Sequence, residues 1–252
     1  MFRRALFATF AVFAVSSLSA FGDAKDDLMA AVKKTADGPN YSWSSKVEMG
    51  GNALGAGTST GKTEKDGYTW VNQPVRDQTY ELMIKGKKAM IKTDDGWKTA
   101  EELSGGGGGG GGFNPQRMLA MMASNYQTPL VQAERSLKNL DTVKAETDGF
   151  SGNLTEEGAK QMLMFRRPPN ANGGDGGGPE VTNAKADVRV WTKDGEVTKL
   201  QYHVTGSVSF NGNDREVDRT TTIEIKDVGT TKVVVPDEVK KKLEASDTTQ
   251  PQ

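Results

Sequence analysis

Alternation with a period of two dominates the chain. In the clearest run, Leu200, Tyr202, Val204, Gly206, Val208 and Phe210 are apolar or small, while Gln201, His203, Thr205, Ser207 and Ser209 between them are polar. This pattern describes a strand with one face on a core and one in water. Tyr41, Trp43, Val47 and Met49 alternate with serines and charged residues, and Tyr80, Leu82 and Ile84 alternate with Glu81 and Met83. Gly67 to Val75, Lys88 to Thr93, Trp97 to Glu101, Leu140 to Glu146, Val181 to Thr192, Arg219 to Lys226 and Thr231 to Val235 read as further strands, the last stopping at Pro236. Asp66-Gly67, Asp95-Gly96, Asp148-Gly149, Asp194-Gly195 and Asn211-Gly212 fall between such runs and tolerate the positive φ angles of tight hairpins. Hairpins join antiparallel neighbours, so the pattern predicts a meander of roughly eight to eleven strands.

Helical periodicity is confined to short segments. Ala24 to Ala36 places Leu28, Met29 and Val32 on one side, and Asn114 can cap a helix that opens at Pro115 and carries Met118, Leu119, Met121 and Met122. Thr128-Pro129 repeats that start signal ahead of Leu130 and Leu137. Thr155 with Glu156 and Glu157 opens another helix, bearing Ala159, Met162 and Leu163, and a last one starts at Pro236 with Val239 and Leu243. Each is apolar along a single stripe, which predicts helices laid across one face of the sheet in an α+β domain.

The first 22 residues break this pattern. They hold 15 apolar residues, including five of the nine Phe, behind Arg3 and Arg4 and ahead of Ser16, Ser17, Ser19 and Ala20. A charged start, a short apolar run and small residues predict a cleaved secretory signal peptide, with Ala20-Phe21-Gly22 placing cleavage before Asp23. The apolar run is shorter than the ~20 residues that span a bilayer. Residues 23–252 then form one domain of an exported protein, not integral to the membrane. Removing Arg3 and Arg4 leaves 30 basic against 33 acidic side chains, a formal charge of −3, which speaks against nucleic acid as a partner.

Glycine is concentrated in two places, the octaglycine Gly105 to Gly112 and the segment Pro168 to Pro179. Such stretches bury too little side chain to offset their ordering entropy, so 104–113 and 168–179 are expected to be flexible loops. The octaglycine lacks the Lys-Ser/Thr that a phosphate-cradling loop requires.

The composition closes most catalytic routes. There are no cysteines and one histidine, which removes thiol chemistry, Cys-ligated zinc and disulfides. His203 lies on the polar parity of its strand, facing solvent. No cofactor or metal site is expected, and the protein is read as not an enzyme. The methionines carry more information. Met118, Met121, Met122, Met162 and Met164 are half of the chain's ten, and flexible, polarizable side chains suit a surface that accepts varied apolar shapes. Met118, Met121, Met122 and Met162, together with Trp43, Trp70 and Tyr202, are the candidate lining of an apolar cleft between sheet and helices.

Asp26 to Met49, Gly149 to Leu163 (Gly-Phe-Ser-Gly-Asn-Leu-Thr-Glu-Glu-Gly-Ala-Lys-Gln-Met-Leu), and Thr220 to Gly229 followed by Val233-Val-Val-Pro236 carry a resemblance. In these stretches and in its order of elements the chain resembles the LolA/LppX-like superfamily of bacterial periplasmic lipoprotein and lipid carriers. The resemblance implies a curved antiparallel sheet, an incomplete β-barrel, with helices on its concave face around an apolar cavity. It further implies a monomeric carrier whose partner is a hydrophobic ligand or a lipoprotein. The chain departs from the lipoprotein members in having no cysteine, and from the group's pattern in its glycine loops. The alternative class is a cell-envelope protein–protein interaction module without small-molecule cargo; a hydrolase built on scattered carboxylates stands third.

Overall fold

A computed structural model describes residues 21–50, 56–75, 78–105, 115–164, 180–210 and 213–245. Nearly all of the expected signal peptide and octaglycine, the whole of Pro168 to Pro179, the Asn114 cap and the Asn211-Gly212 turn lie outside the described residues.

Eleven antiparallel strands form one sheet. They are β1 (Asn40–Met49), β2 (Gly57–Glu64), β3 (Thr69–Val75), β4 (Gln78–Lys85), β5 (Lys88–Thr93), β6 (Gly96–Thr99), β7 (Leu140–Glu146), β8 (Gly149–Leu154), β9 (Glu180–Lys193), β10 (Glu196–Phe210) and β11 (Asn213–Lys226). Their spatial order is β6-β5-β4-β3-β2-β1-β11-β10-β9-β8-β7. Two meanders, β1 to β6 and β7 to β11, are therefore sewn together where the first strand pairs with the last, from Ser42 opposite Lys226 to Met49 opposite Arg219. The sheet does not close into a barrel, and β6 and β7 are its edges. Asp66 and Asp194 adopt φ of 56° and 54°, the left-handed conformation that the Asp-Gly signals anticipate.

Five helices among the described residues share one face: α1 (Phe21–Ala36), α2 (Ala100–Gly105), α3 (Pro115–Ser124), α4 (Pro129–Leu137) and α5 (Glu156–Leu163). Leu28 and Val32 of α1, Leu119 of α3, Leu130 and Leu137 of α4 and Leu163 of α5 meet Trp43, Val71, Leu82, Ile91, Leu200 and Val204 of the sheet in one core. The fully buried Thr35 fastens α1 to the sheet, its hydroxyl donating to Ala31 O at 2.9 Å and accepting from Val197 N at 2.8 Å.

Four expectations are corrected. First, helix α6 (Asp237–Ala245) lies on the opposite face, where Val239 and Leu243 pack on Met83, Met90 and Trp97. Met83 is therefore buried, although its place among the polar alternates of its strand assigns it to water; β4 and β5 are covered on both faces, and Leu82-Met83-Ile84 and Ala89-Met90-Ile91 are buried without alternation. Second, 231–235 is an extended connection rather than a strand, held by Thr231 N donating to Asn40 Oδ1 and Val233 N donating to Glu64 Oε1. Third, Ala100 and Glu101 begin α2 instead of ending a strand. Fourth, β2 and β8 carry little of the apolar alternation that marks a strand. Thr63 and Gly61 of β2 oppose Tyr41 and Trp43, and the indole ring occupies the space where a side chain at 61 would stand.

Candidate functional site

The helix-bearing face is unevenly covered. Helix α3 packs on β5 and against α2, helix α5 on β8, β9 and β10, and helix α1 on β7, β8, β10 and α4. Strands β1, β2, β3 and β11 have no comparably extensive helix contact among the described residues. One end of this central strip is nevertheless sealed: Tyr41, Trp43, Val71, Ile223 and Ile225 are buried. Toward the ends of β1 and β3 and the start of β11 the cover thins. Val47, Met49, Val75 and Val217 are only half-buried there, as are Val208 on β10 and Tyr80 on β4. Strand parity puts all six on the helix-bearing face, since Val47 and Met49 follow Trp43, Val75 follows Val71, Tyr80 precedes Leu82, Val208 follows Val204 and Val217 precedes Ile223 at even spacing. The result is an apolar strip flanked by two methionine-bearing helices, α3 with Met118, Met121 and Met122 and α5 with Met162.

The sequence-based lining residues separate into three groups. Trp43 and Tyr202 are on the helix-bearing face and are 4% exposed, Trp43 with its ring centroid 5.8 Å from that of Tyr41. Met162 is half-buried against the core on α5. Met118 is half-buried on α3, whereas Met121 and Met122 are each 44% exposed, because the buried stripe of that helix consists of Leu119, Ala120 and Ala123. Trp70 lies on the other face, packed with the Met83 cluster under α6, and its indole N–H reaches Glu81 Oε2 at 3.5 Å. The structure thus brings Met162 and Tyr202 to the strip's border and sets Trp70 apart from it.

The strip also holds a residue that the hydrophobic pattern passes over. Arg219 is on the parity of Ile223 and Ile225, between Val204 of β10 and Met49 of β1. Its terminal nitrogen donates to Met162 O at 2.7 Å, near the C-terminus of α5, and its Nε is buried without a hydrogen-bond partner. Burial lowers the pKa of the guanidinium, with no acidic group acting on it. The Tyr202 hydroxyl is likewise buried without a partner, and burial alone raises its pKa. Tyr41 is pushed up to about 12 by burial, an effect partly offset by the Thr128 side chain and the Leu130 backbone at the start of α4. The signal for Arg219 was present in the sequence as a charge on the apolar parity of a strand.

On the opposite, polar face a groove of about 300 Å³ is lined by Thr142, Lys144, Ser151, Gly152, Asn153, Asp187, Val188, Arg189, Gln201 and His203. His203 does face solvent there, with Nε2 2.9 Å from Asp218 Oδ1 and Nδ1 3.7 Å from Asp187 Oδ2. Ser151 stands across β9 from Gln201, two strand spacings or ~10 Å away, with His203 further along β10 opposite Asp187 and Asn153, and the serine hydroxyl donates to Glu146 Oε1 at 2.6 Å. Serine and histidine therefore do not form the nucleophile–base contact of acyl transfer. A second hollow, of about 610 Å³, is framed by the turns at Asp66-Gly67 and Lys85 to Lys88 beside Leu243. Among the described residues no group of acidic or histidine side chains is arranged to hold a metal ion, and no helix is long and apolar enough to cross a membrane.

No protein-family model matches the chain, and no curated protein matches it in sequence. Solved structures do match. The lipoprotein LppX of Mycobacterium tuberculosis aligns over 85% of this chain and 99% of its own, with 10% identity and a TM-score of 0.46. LprF of Mycobacterium bovis aligns over 88% and 99%, with 11% identity and a TM-score of 0.47. A LolA superfamily protein of Nitrosomonas europaea aligns over 86% and 96%, with 10% identity and a TM-score of 0.30.

Proposed function

We propose that this chain is a non-enzymatic binding protein of the bacterial cell envelope that holds a hydrophobic ligand, a lipid or the acyl chain of a lipoprotein, on the helix-bearing face of its open sheet. The observation that carries this reading is the half-buried strip of Val47, Met49, Val75 and Val217 between the methionine-bearing helices α3 and α5. Apolar side chains left half in water are costly unless something covers them. The flanking methionines suit that cover because their unbranched, polarizable side chains repack around chains of different shape. The remainder of the face is filled by its own side chains, with Leu119, Leu130, Leu137 and Leu200 wholly buried. Cargo consequently enters along the strip and displaces the shallowly seated α3, whose buried stripe offers one leucine and two alanines.

The experiment is titration of the mature protein with the apolar fluorophore 1-N-phenylnaphthylamine, followed by competition with methyl oleate. Fluorescence should rise on binding, fall back as the ester competes, and stay near the free-probe level in Val217→Asp. A flat titration of the wild-type protein refutes the reading.

A further inference from the structure

Resting on the reading just given, the ligand's chemical class can be narrowed from the one charge in the strip. A guanidinium carries five N–H donors in a fixed fork and stays protonated when buried. At Arg219 one nitrogen is engaged by Met162 O, and Nε has no partner. Its cross-strand neighbours on this face are Val204 and Met49, and the same-face positions before and after it on β11 are Val217 and Thr221. None of these is acidic. The carboxylates closest in sequence, Asp218 and those of Glu216 and Glu224, alternate to the polar face. Contact with the end of α5 accounts for a positive charge near a helix C-terminus, but it leaves a buried donor unsatisfied, which folded proteins avoid. A second unsatisfied donor stands beside it. Tyr202 faces Thr221 across the strands, diagonally next to Arg219 on the same face, and its hydroxyl is buried without a partner.

We propose that Arg219 anchors the anionic head group, a carboxylate or phosphate, of an amphiphile whose apolar chain lies along Val47, Met49, Val75 and Val217 beneath Met162. An oxyanion there takes the free edge of the guanidinium fork in charge-assisted hydrogen bonds, in surroundings where water competes poorly. The apolar strip takes the chain. A free anion offers nothing to the strip, and an uncharged ester offers the guanidinium a neutral carbonyl acceptor without the charge-assisted pair.

The test measures displacement of 1-N-phenylnaphthylamine from the mature protein at pH 8 by oleate, by methyl oleate and by inorganic phosphate, in wild type, Arg219→Met and Arg219→Lys. Wild type should prefer oleate over methyl oleate by about tenfold or more, the scale of one hydrogen bond to a charged group. Arg219→Met should bring oleate down to the affinity that the same variant has for the ester, and a cooperative thermal transition shows that the variant is folded. Arg219→Lys should retain part of the preference, and phosphate alone should displace nothing. Equal affinities of wild type for acid and ester overturn the anchor and leave the apolar-carrier reading standing, as does a preference that survives in Arg219→Met. Displacement by phosphate alone overturns the amphiphile. Failure of every ligand to bind overturns the carrier reading and the anchor with it.

Discussion

The tyrosines show how burial at single residues becomes measurable. Tyr41 is 3% exposed and its pKa is pushed up to about 12, against about 10 for an unfolded tyrosine. The folded state thus favours the neutral phenol. The stability this confers is complete below about pH 10 and is lost as pH rises from about 10 through about 12, because only the unfolded chain ionises readily in that window. The urea midpoint of wild type should therefore be level up to about pH 10 and then fall more steeply than that of Tyr41→Phe; parallel profiles would contradict the assignment. At this scale the sequence was readable where parity alone decides. Trp43, Tyr202 and His203 stand on the faces their alternation assigns them. Trp70 and Met83 do not follow the same logic, since their strand parity is regular but the covering residues, Val239 and Leu243, come from a helix more than 150 positions downstream. Nothing local encodes that cover.

Elements were legible to the extent that their own residues carry both pattern and punctuation. Helix α5 is the clearest case: Thr155 is its N-cap, and the hydroxyl accepts from Gly158 N at 3.1 Å, as the Thr followed by two glutamates predicts. Thr155→Ala should cost about 1 kcal/mol of stability in denaturant titration. The effect on ligand affinity should be greater than that of an equally destabilising change in α4, because the end of α5 presents Met162 to the strip. Strands β2 and β8 were not legible. The sequence of β2, Gly-Thr-Ser-Thr-Gly-Lys-Thr-Glu, has no large apolar residue, since its inward positions are shaped by the indole of Trp43 and the ring of Tyr41 from the next strand. A strand whose face is defined by its neighbour's bulk has no periodicity to read. The strip itself was missed for a related reason: it is defined by which strands the helices leave uncovered, a property of helix placement and not of any one segment.

Across the whole molecule, the chain after β11 turns back over the polar face and fixes the first meander from outside. Lys242 Nζ donates to Trp97 O at 2.7 Å and Lys88 Nζ to Leu243 O at 3.3 Å, while Val239 and Leu243 close the cluster of Met83, Met90 and Trp97. Leu243→Ala should cost about 2–5 kcal/mol, the range for a buried leucine in a core that cannot fully collapse, seen as a lower thermal midpoint. It should leave probe binding at the strip on the other face intact at low temperature; coupled loss of binding would mean that the two faces are not independent. The pairing of β1 with β11 has a further, temporal effect. Some 180 residues separate Trp43 from Ile225, its partner across that seam, so the middle of the sheet is the last ladder that a chain emerging from its N-terminus can complete. Until then β1 presents an open edge beside Trp43, and such edges recruit other chains. Folding should accordingly be slow for the chain's size, and refolding yield should fall with protein concentration even though the finished sheet has only its two outer strands unpaired.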